Sequence, residues 1–299
     1  MACWKHLRLL SAMAFCTVAG CTAGEEPADT AVTADSGAGA AASTPAVPNV
    51  VTITASDYAF AAPDEIPAGV TEFKLVDTGK EVHHATLIRL KDGKTHADLV
   101  AVMKAMKPGS HPPAWVELAG GPNAIAPGGE SNATVMLEPG NYALVCFVPD
   151  AKMVPHFMLG MTKGITVLPA SGTTTAMAPE PTADIMLTLS DYKFEWSKPL
   201  TAGHHVIRVE TAAGQPHELT LFQLPPGKTI KDLEAWLPTM KGPPPALPVG
   251  GVAGVVAGRA NYITVNLQPG DYAAVCFLED HKDGKPHFMH GMTQAIKVS

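Results

Sequence analysis

The feature that most constrains this chain is an internal repeat. Three segments recur in the same order: SDYAF at 56–60 as SDYKF at 190–194, EPGNYALVCF at 138–147 as QPGDYAAVCF at 268–277, and PHFMLGM at 155–161 as PHFMHGM at 286–292. Self-similarity over such a distance indicates that one structural unit is present twice. We therefore predict two copies of one domain, residues 50–169 and 183–299, joined by a linker at 170–182.

Within each copy, the hydrophobic pattern is that of β-strands. Apolar and polar residues alternate along 51–54, 70–76 and 262–267, and Gly, Pro and Asp separate such runs. One helical pattern interrupts each copy, at 96–106 and at 229–240. We predict an all-β chain of two tandem antiparallel Greek-key β-sandwiches, each with one short inserted helix and each able to fold alone.

The N-terminus is typical of an exported chain. Lys5 and Arg8 precede a short apolar run, which predicts a signal peptide at residues 1–20. Val-Ala-Gly-Cys at its end resembles the lipobox of bacterial lipoproteins, which implies lipidation of Cys21. Residues 21–49 are small and polar and predict a disordered tether. We expect a lipid-anchored protein of the bacterial cell envelope, on its periplasmic or extracytoplasmic side.

The charge of the chain excludes one class of partner. There are 28 Asp and Glu against 21 Lys and Arg, which gives a net charge of -7. Nucleic-acid binding requires a basic face. We therefore expect no nucleic-acid partner.

Cysteine usage is unusual for an exported chain. Once residues 1–21 are set aside, each copy retains one cysteine, Cys146 or Cys276, at matching positions. An immunoglobulin-like sandwich is disfavoured, because it pairs two cysteines within each domain. Three interpretations remain open at this point: a disulfide between the copies, an inert buried thiol, or a metal-bound thiolate.

Histidine and methionine near each cysteine favour the metal. In each copy one His precedes a strand, and Cys, His and Met follow one another around a single later loop. The candidate ligands are His83, Cys146, His156 and Met161 in the first copy, and His217, Cys276, His287 and Met292 in the second. Two imidazoles, a thiolate and a weak axial thioether are the donors of a blue copper site.

This ligand pattern resembles the cupredoxins, the family of blue (type 1) copper proteins, over both copies. The resemblance implies at most one copper ion per domain and single-electron transfer with a redox partner protein or a copper chaperone. Copper sequestration or delivery, and a metal-free binding module, are the alternatives. Two-domain copper oxidases resemble this architecture, but they need His-x-His pairs or a His directly after the Cys to build a catalytic copper site. Neither pattern occurs here, so we expect no enzymatic activity. Nine residues separate Cys146 from His156 and ten separate Cys276 from His287, more than such loops usually hold.

Overall fold

The computed structural model describes residues 47–107, 110–170, 178–212 and 214–299. The predicted signal peptide, the lipidated Cys21 and nearly all of the tether lie outside these residues, as does part of the linker. In the first repeat the strands are β1 (Asn49–Ser56), β2 (Ala59–Ala61), β3 (Glu65–Pro67), β4 (Gly69–Asp77), β5 (Thr86–Leu90), β6 (Val116–Gly120), β7 (Glu130–Leu137), β8 (Gly140–Val145) and β9 (Thr162–Leu168).

The second repeat follows the same order with one strand fewer. Its strands are β10 (Ile185–Ser190), β11 (Lys193–Trp196), β12 (Gly203–Thr211), β13 (His217–Leu224), β14 (Leu247–Val255), β15 (Ala260–Leu267), β16 (Gly270–Val275) and β17 (Thr293–Val298). The described chain is therefore mainly β, as the sequence pattern predicts.

One helix lies in each repeat, α1 (His96–Ala105) and α2 (Ile230–Trp236). Each begins at a capping box, in which a Thr side chain and the Asp three residues later satisfy exposed backbone N–H groups. The second helix is shorter than predicted. It ends before Pro238, which has no N–H to donate and disfavours helical geometry in the residue before it. No helix in the described part of the chain has the length and apolar character needed to cross a membrane.

The strands form two sheets that run through both repeats. The first has the order β11-β10-β12-β15-β7-β4-β1-β2, and the second has the order β17-β16-β13-β14-β6-β5-β8-β9-β3. The purely antiparallel prediction is wrong in part, because β1 pairs with β4, β10 with β12 and β3 with β9 in parallel. In the first repeat, β1 and β4 lie in the first sheet, and β3, between them in sequence, lies in the second sheet. This connection through the other sheet is the crossover that parallel neighbours require.

The repeats meet along the middle of both sheets. Strand β15 pairs with β7, and β14 pairs with β6. Beside this junction, close backbone approach within each repeat requires glycine: a Cβ on Gly121 would lie 2.4 Å from the carbonyl oxygen of Ala85, and one on Gly251 would lie 1.9 Å from that of Leu219. Both glycines have positive φ. The shared sheets argue against the expectation that each repeat folds alone, while the domain boundaries stay predictions.

The main hydrophobic core draws on both sheets and both repeats. Buried residues of β1, β4, β8 and β9 belong to the same cluster as those of β10, β12, β13 and β16. Cys146, Met161, Cys276 and Met292 are members of this cluster and have no exposed surface. These four candidate ligands therefore belong to the core rather than to the protein surface.

Candidate metal centre

The loop after β8 places three of the candidate ligands of the first repeat. Asp150 folds the surplus residues into a turn by accepting the N–H groups of Lys152 and Val154, and Pro149 pairs with Pro155 across the turn. The chain then enters a short 3₁₀ turn at His156–Leu159. The long spacing between cysteine and histidine is thus taken up by a hydrogen-bonded turn that returns the chain to β8.

Backbone hydrogen bonds hold the two ends of this loop together. Phe157 N–H donates to the carbonyl of Cys146 at 2.9 Å, and Cys146 N–H donates to the carbonyl of Met161 at 3.2 Å. The second repeat has the same pair: Phe288 to Cys276 at 3.0 Å, and Cys276 to Met292 at 3.2 Å. The loops differ in length and sequence, but they deliver their ligands in the same way.

The structure brings the nitrogen and sulfur donors of each repeat together. The Nδ1 atoms of His83 and His156 are 3.1 Å apart, and the Sγ of Cys146 lies 3.5 Å from Nδ1 of His156. In the second repeat, the Nδ1 atoms of His217 and His287 are 3.1 Å apart, and the sulfur lies 3.3 Å from Nδ1 of His287. In each group all donor atoms lie within 4.8 Å of one another.

Hydrogen bonds on the far side of the rings determine which nitrogen faces the cluster. Nε2 of His83 contacts the carboxylate of Asp57 at 3.2 Å, and Nε2 of His156 contacts that of Glu81 at 2.8 Å. A carboxylate accepts a hydrogen bond from a protonated Nε2, and Nδ1 of the neutral ring then carries a free lone pair. Two lone pairs then face each other at 3.1 Å beside a sulfur, an arrangement that a bound cation stabilises. These residues therefore fit a metal ion.

In the metal-free protein, burial favours the uncharged form of both cysteines and of three of the ligand histidines. Desolvation raises the pKa of the Cys146 thiol to about 12 and raises that of Cys276 well above its usual value. Burial also lowers the pKa of His156 and His217, and it lowers the pKa of His287 to about 4. Neutral imidazoles are ready to bind metal, whereas the thiols must each lose a proton.

Backbone N–H groups are positioned to stabilise the sulfur once it is charged. Those of His84 and Val148 point at Cys146 and favour its thiolate. Glu218 N–H donates to the sulfur of Cys276 at 3.4 Å, and Leu278 N–H also favours that thiolate. With a buried Met161 or Met292 in the same core cluster, each group offers the donor set of an electron-transfer copper site. The two cysteines are free rather than joined by a disulfide.

Two sets of residues around the ligands were not identified from the sequence. Asp57 and Asp191 each hydrogen-bond to the Nε2 of a ligand histidine, at 3.2 Å. Their signal was present, because both lie in the repeated Ser-Asp-Tyr segment. His84 and Glu218, which occupy equivalent positions but differ between the repeats, are buried beside the ligands.

Neither a protein-family model nor a curated protein matches this chain. Among solved structures it is similar to a reduced auracyanin from Roseiflexus castenholzii (20% identity, 42% of this chain and 99% of that one, TM-score 0.29). It is also similar to a blue copper oxidase from Nitrosomonas europaea (15% identity, covering 84% of this chain and 86% of that one, TM-score 0.25). A third similar structure is a copper-containing nitrite reductase from Thermus scotoductus (11% identity, covering 84% of this chain and 61% of that one, TM-score 0.23).

The His–Cys–His group that the structure assembles in each repeat confirms the ligand pattern on which the resemblance to cupredoxin-like copper proteins rests. The comparisons correct another expectation. Oxidases and a nitrite reductase are enzymes, so the expectation that this chain is not an enzyme was wrong as an inference from the resemblance. The missing His-x-His pairs describe only one way of building a catalytic centre and do not exclude catalysis.

Proposed function

We propose that the protein binds one copper ion in each repeat and transfers single electrons through them. The observation that carries this proposal is the duplicated His–Cys–His group, with the same 3.1 Å separation of Nδ1 atoms in both repeats. In each repeat a buried Met accepts the N–H of the ligand Cys through its backbone carbonyl. Thiolate, imidazole and thioether ligands support copper in both of its oxidation states.

The residues of the chain keep the site geometry fixed while an electron arrives or leaves. Asp57 and Asp191 hold His83 and His217 in one tautomer and one orientation. The backbone hydrogen bond between the cysteine and the methionine holds the two ends of each ligand loop together. Because the donors are fully buried, water is excluded from the ligand atoms. A site that does not rearrange is suited to electron transfer.

A redox titration of the copper-loaded protein tests this function. We expect an intense visible band that bleaches on reduction and returns fully on oxidation, with one electron per bound copper ion. The metal-free protein carried through the same cycle is the control. Copper sequestration predicts tight binding of reduced copper without a reversible band, and a metal-free binding module predicts no copper uptake. Either result contradicts the proposed function.

We further propose that the protein is attached to the cell envelope through a lipid on Cys21 and exchanges electrons there with a partner protein or receives copper from a chaperone. The basic, apolar and lipobox-like segments of the N-terminus support the anchor. Cys21→Ser is expected to move the protein from the membrane fraction to the soluble fraction or to block its processing. Unchanged mass and unchanged fractionation would contradict the anchor.

A further inference from the structure

The two candidate sites are linked by buried polar side chains at the junction between the repeats. His84 follows the ligand His83, and Glu218 follows the ligand His217. His84 Nε2 accepts the N–H of Phe147, the residue after Cys146, at 2.7 Å. Glu218 Oε1 accepts the N–H of Phe277, the residue after Cys276, at 3.0 Å. Each side chain thus ties the strand of one ligand to the strand of another.

Asn123 connects these two positions across the junction. Its Oδ1 lies 3.2 Å from Nδ1 of His84, and its Nδ2 donates to the carbonyl of Leu219 at 3.0 Å and to the hydroxyl of Thr220 at 3.0 Å. Asn123 is only 1% exposed, and His84 is only 8% exposed. Buried groups with this many partners hold one geometry, because breaking any bond leaves an unsatisfied polar atom.

The directions of these hydrogen bonds are mutually consistent. The N–H of Phe147 can only donate, so Nε2 of His84 accepts and its proton lies on Nδ1. That proton is donated to Oδ1 of Asn123, which leaves Nδ2 to donate to Leu219. Leu219 is bonded to Glu218, whose own N–H donates to the sulfur of Cys276. A continuous path of covalent bonds and hydrogen bonds therefore runs from Cys146 to Cys276.

We infer that the His84–Asn123 bridge carries electrons between the two metal sites, so that the repeats act as one two-site unit. This inference rests on the proposed function. The step is balanced within the chain: one site is oxidised as the other is reduced, and no further reagent is consumed. Electronic coupling decays less steeply along covalent bonds and short hydrogen bonds than through space, and this path has three side-chain hydrogen bonds between the residue after Cys146 and Leu219.

The chain also offers a matched control at the same junction. Asn261 is 1% exposed, accepts the N–H of Gly121 at 3.0 Å and donates to the carbonyl of Ala119 at 3.1 Å. It joins the repeats as Asn123 does, but it has no bond to His84 or to Leu219. If the polar junction serves stability alone, substitutions at Asn123 and Asn261 should have the same consequences.

The test uses the full chain with Met292→Gln as the parent protein, because this substitution separates the absorption and potential of the second site from those of the first. After partial photoreduction of the copper-loaded parent, electrons should redistribute between the two sites. This exchange should appear as a first-order change in the two absorption bands at a rate independent of protein concentration. We expect Asn123→Ser and His84→Leu to abolish this phase. Asn261→Ser should retain it, and His84→Gln, which keeps an acceptor and a donor, should restore it.

Two further measurements make every outcome decisive. Urea unfolding of the metal-free Asn123→Ser and Asn261→Ser variants should show similar midpoints, which removes stability as an explanation. Nitrogen-15 spectra of the metal-free protein should show His84 neutral with its proton on Nδ1, and a proton on Nε2 overturns the bridge. A coloured parent without the exchange phase, or equal exchange in the two Asn variants, overturns the inference alone. A parent that takes up no copper overturns the proposed function as well.

Discussion

The two candidate sites agree in their ligands and differ in the charges around them. In the first, Glu81 contacts Nε2 of His156 at 2.8 Å. The second repeat has Gln215 at the position of Glu81, and among the described residues Nε2 of His287 has no hydrogen-bond partner. The two sites therefore share their ligand geometry but differ in the hydrogen bonds to the far nitrogen of the loop histidine. Such a difference can give two sites different reduction potentials.

A second carboxylate partly replaces the missing one. Asp280 is buried, and one of its oxygens lies 4.0 Å from Nε2 of His287. The negative charge of Asp280 is already stabilised by other groups: Tyr192 and Gln215 both donate hydrogen bonds to the same oxygen and hold the pKa of Asp280 well below its usual value. The histidine of the second site therefore receives less stabilisation of positive charge than that of the first. We expect the second site to have the higher potential and to accept electrons from the first.

The largest expected effect concerns the opposite titration of His84 and Glu218 in the metal-free protein. Burial lowers the pKa of His84 to about 4, so folding stability is lost as pH falls from about 6.5 to 4, where only the unfolded chain takes up the proton. Burial raises the pKa of Glu218 to about 7, so stability is lost as pH rises from about 4.5 to 7. Each contribution is at most about 3 kcal/mol.

Urea unfolding between pH 4.5 and 7.5 checks this contrast. Relative to wild type, Glu218→Gln should make the loss of stability on acidification steeper, because the opposing group is gone. His84→Gln should make it shallower, although the buried ligand histidines His156, His217 and His287 still contribute in the same direction as His84. Parallel pH profiles for the two variants would show that the two positions are equivalent.

The next effect concerns Glu81, tested in a Cys276→Ser background that leaves only the first site. Glu81→Gln removes a negative charge from His156 and should raise the reduction potential by roughly 60 mV, if the charged hydrogen bond is worth about 1.5 kcal/mol more in the oxidised state. The low end of the range is appropriate because Glu81 is 34% exposed. Spectroelectrochemistry measures the shift.

The reciprocal change provides the control. In a Cys146→Ser background, Gln215→Glu should lower the potential of the second site, because it introduces a carboxylate near His287. An unchanged potential in both variants would mean that the outer carboxylates do not distinguish the sites.

The smallest effect concerns the two methionines, which are fully buried in both repeats. Met161→Leu and Met292→Leu conserve volume and should each cost less than about 1.5 kcal/mol of unfolding free energy. Both should keep the visible band and shift the potential in the same direction, since the axial contact is weak and the surrounding loop bonds match. Loss of colour in only one variant would show that the two sites use different ligand sets.

The sequence was most informative where the repeat itself supplied a comparison. The eight ligand candidates could be identified because each His, Cys and Met recurs. The two helices could be predicted because the hydrophobic pattern of a helix is local. Pairing across the junction could not be predicted, since an alternating pattern shows which face of a strand is buried but not which strand lies beside it. His84 and Glu218 were missed for a related reason: they have different side chains but accept the equivalent backbone N–H group.

Copper stoichiometry, followed by absorption on wild type and the two cysteine variants, tests the central claim most directly. Wild type should take up two copper ions with one intense visible band per site, in keeping with its two His–Cys–His groups. Cys146→Ser and Cys276→Ser should each lose one band, and the double variant should lose both. A wild-type protein that binds no stoichiometric copper, or copper binding that survives the loss of both cysteines, would contradict the account.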